Sequence, residues 1–145
     1  MTTKIAARAK VDPALREEWL DTVAGLQGQI KAWVYEEPGW TFTTQEEREI
    51  EEAALGKYPI TVWKIQTPEG EARLEPIARN YPGRGIVELY AWPTLRRVHL
   101  LPGGSENDWR VRVDSGFNLR QPWDRGHFIT LVRDLVGAED LLTIG

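Results

Sequence analysis

The sequence predicts an α+β fold, a five-stranded antiparallel meander sheet with N-terminal helices and a C-terminal amphipathic helix packed on one face. Three observations predict it. Helical periodicity is confined to the two ends of the chain, strand-like alternation fills the middle, and the middle segments are joined by short turn-forming connections. Helices that precede and follow the strands, rather than alternating with them, argue for an antiparallel sheet with one covered face. The 145 residues are expected to form a single domain, 1–145, with 1–11 as a flexible N-terminal segment.

The first helix signal is Asp12-Pro13. Aspartate accepts hydrogen bonds from first-turn N–H groups, and proline fits where no donor is needed. Leu15, Trp19, Val23, Leu26, Ile30 and Trp33 then recur at three- and four-residue steps, so one apolar stripe runs to about residue 35. Gly25 and Gly28 weaken this reading, each by about 1 kcal/mol relative to alanine. The alternative ends the helix near Gly28 and makes "QIKAWVY" a strand. The next segment, "TTQEEREIEEAALGKYP", sets Thr44 and Glu47 in capping-box spacing, gathers carboxylates in the first turns and stops at Gly56. These features predict a short acidic helix.

Five strands follow. "YPITVWKIQT" and "EARLEPIA" flank the turn "PEG"; "IVELYAW" and "LRRVHLL" flank a turn at Pro93; "PGGSEND" leads to "WRVRVD". Pro93 disfavours a primed two-residue turn, which needs positive φ, and suits the first central position of a type I turn in a symmetric loop from Trp92 to Leu95. That loop sets the register: Glu88 faces His99, Tyr90 faces Arg97 and Leu89 faces Val98. Finally "WDRGHFITLVRDLVG" places Phe128, Leu131, Val132, Leu135 and Val136 on one helical stripe, with Asp124 as N-cap and Gly137 as the stop. "QPW" before it has the position of a hydrophobic staple.

Composition excludes several chemistries. No cysteine is present, which removes disulfides, thiolate nucleophiles and cysteine-based metal sites. No apolar run reaches the roughly 18–20 residues that span a bilayer, and a cytoplasmic protein without membrane contact is expected. The net charge is −4, unevenly spread. Residues 1–72 carry 8 basic and 13 acidic side chains, whereas residues 73–133 carry 10 basic, all arginine, and 6 acidic. Arginine favours planar contacts with carboxylates and phosphates and stacks on aromatic rings. A dedicated nucleic-acid module, by contrast, is basic overall.

Alternation then gathers a polar sheet face from Lys64, Arg73, Glu75, Glu88, Tyr90, Trp92, Arg97, His99, Arg110, Arg112 and Asp114. Interleaved acids and bases are ordinary on a solvated face. Tyr90 and Trp92 beside arginine are the composition of protein-interface anchors and of base-stacking platforms. Tyr90, Trp92, Arg97, Arg110 and Arg112 are therefore the partner-binding candidates. A protein partner is the first reading and nucleic acid the alternative.

Enzymatic readings rest on two histidines. Glu88 beside His99 has the residue types of a carboxylate-oriented general base, although a cross-strand ion pair explains it as well. Asp114, Ser115 and His127 supply the types of a nucleophilic triad, but Ser115 lacks the strained strand-to-helix elbow. No His-x-His, His-Glu-x-x-His or EF-hand spacing exists, so no metal is expected. Neither "YPGRG" nor "LPGGSEND" has a phosphate-loop signature, and no cofactor is expected. The sequence thus predicts a non-enzymatic interaction or accessory protein; it leaves the oligomeric state open.

Overall fold

The computed structural model describes residues 11–79, 85–93, 96–113 and 118–137. Helix α1 (Pro13–Tyr35) is followed by β1 (Thr41–Glu52), β2 (Gly56–Thr67), β3 (Gly70–Ala78), β4 (Ile86–Trp92), β5 (Arg97–Pro102), β6 (Trp109–Arg112) and β7 (Asn118–Leu119), and helix α2 (Arg125–Gly137) closes the described chain. The strands pair in sequence order as one antiparallel meander. The class is α+β, and the described residues form six strands of four residues or more and a two-residue β7 in place of the expected five.

Both helices start where their caps dictate. The Asp12 carboxylate accepts from the N–H groups of Ala14 at 3.0 Å and Leu15 at 3.1 Å, with Pro13 in the first turn. Trp19, Leu26, Ile30 and Val34 form the buried stripe of α1. Helix α1 runs through both glycines, and the strand alternative for "QIKAWVY" is excluded. At Gly25 the missing side chain has a use, because an added Cβ would lie 3.0 Å from Oδ1 of Asn107 in the β5–β6 loop. At the start of α2, Asp124 Oδ1 accepts from His127 N–H at 2.9 Å. Trp123, just before this cap, meets Phe128 with ring centroids 5.5 Å apart, which is the expected staple. Trp33 of α1 touches both rings, at 5.3 Å and 5.7 Å. These aromatics weld the two helices together.

The core face of the sheet follows from register. Trp63 pairs with Leu74, Leu74 with Leu89, Leu89 with Val98, Val87 with Leu100 and Leu100 with Val111. All are buried. Each such side chain contributes about 1.5–3 kcal/mol relative to exposure, and period-two alternation forces their neighbours onto the opposite face.

The acidic helix is not there. Residues 41–52 are strand β1, paired with β2 from Thr41↔Gln66 to Glu52↔Gly56, with a bulge between Thr44 and Glu46. The reason is tertiary. As a helix this segment could bury only Ile50, Ala54 and Leu55, whereas as a strand it completes a ladder with β2 and brings Phe42 within 6.2 Å of Trp63. A long pairing partner overrides helical propensity of a few tenths of a kcal/mol per glutamate, an amount of roughly that order for these residues. Across from the bulge, the buried side of β2 switches from Tyr58, Ile60 and Val62 to Trp63, Ile65 and Thr67. Bulges increase local twist, and the tip of the hairpin closes on α1, where Asp12 N–H donates to Ala54 O at 2.7 Å and Arg16 Nη1 to Leu55 O at 3.3 Å.

The Trp92–Pro93 peptide is cis and the expected register stands, with Glu88↔His99, Leu89↔Val98 and Tyr90↔Arg97; the type I turn expected here runs through Thr94 and Leu95 and so falls outside the described residues. Thr94, Leu95 and the N-terminal segment up to residue 10 lie outside the described residues.

Candidate functional site

Register arranges the polar face in rows that run across the strands. One row reads Thr43, Lys64, Arg73, Tyr90 and Arg97. The next reads Glu75, Glu88, His99 and Arg112. On the other side of the first row lie Gln66, Glu71 and Trp92. Arg110 faces Leu101 beyond His99 and Arg112. Of the face expected from the sequence, only Asp114 lies outside the described residues.

Two of these juxtapositions are unfavourable alone. Glu75 sits directly opposite Glu88, and Lys64 directly opposite Arg73; like charges in such positions destabilise a sheet. The structure resolves each with a third group. Arg48 Nη1 donates to Glu75 Oε2 at 2.5 Å, and its other terminal nitrogen reaches Glu46 at 2.9 Å. Glu88 Oε2 receives both Arg97 Nη1 and His99 Nε2 at 3.3 Å. Arg73 turns from Lys64 to donate Nε to Glu71 at 2.6 Å. Arg48, Glu46 and Glu71 escaped the sequence reading. The first two lie in the segment read as a helix, and Glu71 is visible in hindsight from the same alternation that placed Arg73.

The five partner-binding candidates divide. Tyr90 is 8% exposed; burial raises its phenol above the ordinary range and the Glu75 carboxylate adds to this, while Arg73 acts in the opposite sense. It supports the face from below. Trp92 is 44% exposed, and the guanidinium of Arg73 lies 3.9 Å from its ring centroid. One side of the indole is therefore covered by a cation and the rest meets solvent. Arg97 and Arg110 are exposed, and Arg112 approaches His99 Nδ1 at 3.5 Å.

Glu88 and His99 do come together, as the register required. Their shared oxygen also takes Arg97, however, so the carboxylate is balanced by a guanidinium. Of the triad types, Asp114 and Ser115 lie outside the described residues. His127 Nδ1 rests 2.7 Å from Asp124 Oδ1 on an exposed helix start. There the Asp124 carboxyl is held below its usual range by the hydrogen bonds from His127. Among the described residues no group of three or more metal-ligating side chains occurs, and no helix is long and apolar enough to cross a membrane.

A cleft of about 780 Å³ opens elsewhere, between α1 and the β5–β6 loop, lined by Glu18, Asp21, Arg79, Glu106 and Asp108 among others. It contains neither Glu88, His99 nor Trp92. The loop "PGGSEND", read from sequence as a turn alone, forms one wall of it.

Comparison of the chain with protein-family models, with curated proteins and with solved structures gives no match.

Proposed function

We propose that this chain is a cytoplasmic, non-enzymatic accessory protein that docks a protein partner on the sheet face around Trp92. One observation carries the reading: an indole 44% exposed and held at 3.9 Å by Arg73 stands on a face whose other charges are largely ion-paired. A large aromatic side chain fixed before binding gives up little rotamer freedom and can exclude much water, which is the profile of an interface anchor. The ion pairs around it keep the sheet face rigid and supply a polar rim.

Nucleic acid would use the same side chains, with arginine on phosphate and indole under base. The interleaved carboxylates of Glu71, Glu75 and Glu88 argue against it. A nucleic-acid strand carries one charge at each nucleotide, about 3.4 Å apart along a duplex strand, and cannot route its phosphates around three acids. A protein surface can.

The test is a photo-crosslinking residue at Gln66, which is exposed in the same row as Glu71 and Trp92, with a control at the exposed Glu17 of α1. The expected result in the native host is a protein adduct formed from position 66 and lost when Trp92→Ala is introduced into the same chain. Equal adducts from position 17, indifference to Trp92→Ala, or an adduct made of nucleic acid would each overturn the reading.

A further inference from the structure

Resting on this docking reading, the geometry points to an acidic linear segment as the partner's contact, with an apolar side chain set against Trp92 and carboxylates on Lys64 and Arg110. Among the described residues of the polar face the acids are accounted for: Glu71 holds Arg73, Glu75 holds Arg48, and Glu88 holds Arg97 and His99. Among the described residues, Lys64 and Arg110 form no ion pair. What the described residues of the face still offer to a partner is therefore positive, although the chain as a whole is negative.

Position strengthens the point. Lys64 lies two strands from Trp92 and one row away, and Arg110 lies two strands away on the other side and three rows along. With strands about 4.8 Å apart, an extended segment of about ten residues reaches from one cation to the other across the indole. Such a segment can keep its carboxylates for the two cations and pass the Glu75–Glu88 row with neutral side chains. The carboxylates also steer encounter with a positive face, which makes binding weaken with salt.

The probe is a fluorescent peptide of about ten residues, a Leu-Phe centre flanked by Glu and Asp, titrated against the whole chain. Matched peptides carry Gln or Lys in place of the acids, and a poly-dT oligonucleotide serves as competitor. The acidic peptide is expected to bind, to weaken about tenfold with Lys64→Glu or Arg110→Glu, and to recover with Lys64→Arg or Arg110→Lys. Trp92→Ala is expected to abolish binding while circular dichroism keeps its native form. The inference is overturned if the Gln or Lys peptide binds as tightly, or if the oligonucleotide displaces the acidic peptide at lower concentration. It is also overturned if no peptide binds while the Trp92-dependent adduct at Gln66 persists, an outcome that leaves the docking reading standing. Loss of both the adduct and the peptide removes both.

Discussion

Arg73 holds Trp92 and Glu71 at once: its guanidinium carbon lies 3.9 Å from the indole centroid while Nε donates to the carboxylate at 2.6 Å. Glu71 and Trp92 are direct cross-strand partners, so the arginine reaches diagonally over the ladder and fixes the ring's orientation. A double-mutant cycle of Arg73→Ala and Trp92→Ala is expected to return a coupling of about 0.5–1 kcal/mol, the range for an exposed cation–π pair. In a Glu71→Ala background the coupling should shrink, because the guanidinium loses the anchor that aims it. Chemical denaturation of the variants measures both.

Gly85 stands where no side chain fits. Its φ is +119°, and an added Cβ would lie 2.6 Å from Trp19. Gly85→Ala therefore combines backbone strain with overpacking against a fully buried indole, and a loss of more than about 2 kcal/mol is expected. Trp19→Phe introduced alongside should restore part of it by removing atoms from the contact. Equilibrium unfolding of the single and double variants tests this.

Two helix-start patterns have opposite fates, which gives a clean contrast. Asp12 caps α1 through Ala14 and Leu15, and Asp12→Ala should cost about 1 kcal/mol. Thr44 has the same kind of position in a capping box, yet it lies in β1 opposite Trp63. Thr44→Ala should change stability by less than about 0.5 kcal/mol. A cap-sized loss at Thr44 would contradict the strand.

Tyr58 and Tyr90 govern the alkaline limit. Burial raises the Tyr58 phenol well above its usual value, helped by its hydrogen bond to the Glu52 carboxylate, and burial raises Tyr90 as well. A raised phenol means that the folded chain favours the neutral form. The stabilisation is fully present below the unfolded value of about 10 and is lost as pH rises through the higher folded values. Phenolate absorbance should therefore lag behind that of the unfolded chain, and Tyr58→Phe should flatten the fall in stability above this range. A wild type and Tyr58→Phe variant that lose stability in parallel would contradict the assignment.

The parts of the fold readable in sequence were those set by local periodicity. The α1 stripe, the staple of Trp123 on Phe128 and the Glu88–His99 and Tyr90–Arg97 pairings all follow from spacing and one symmetric turn. The cis Trp92–Pro93 bond did not follow, because the spacing that sets the register carries no signal for the isomer. Strand β1 was hidden for a different reason. "TTQEEREIEE" carries helix-forming glutamates in capping order, and only the long β2 ladder, a non-local partner, decides against them. With β1 went Arg48, and with Arg48 the group that lets Glu75 face Glu88. The burial of Tyr90 was equally invisible, since alternation assigns a face and says nothing of how deeply a side chain on it is covered.

The central claim is that Trp92 anchors a protein partner, and the yield of the Gln66 adduct in chains with and without Trp92→Ala tests it most directly. The account predicts a protein adduct in the parent chain that disappears with the substitution while the fold, followed by circular dichroism, is unchanged. An adduct of the same identity and yield in the Trp92→Ala chain would contradict it.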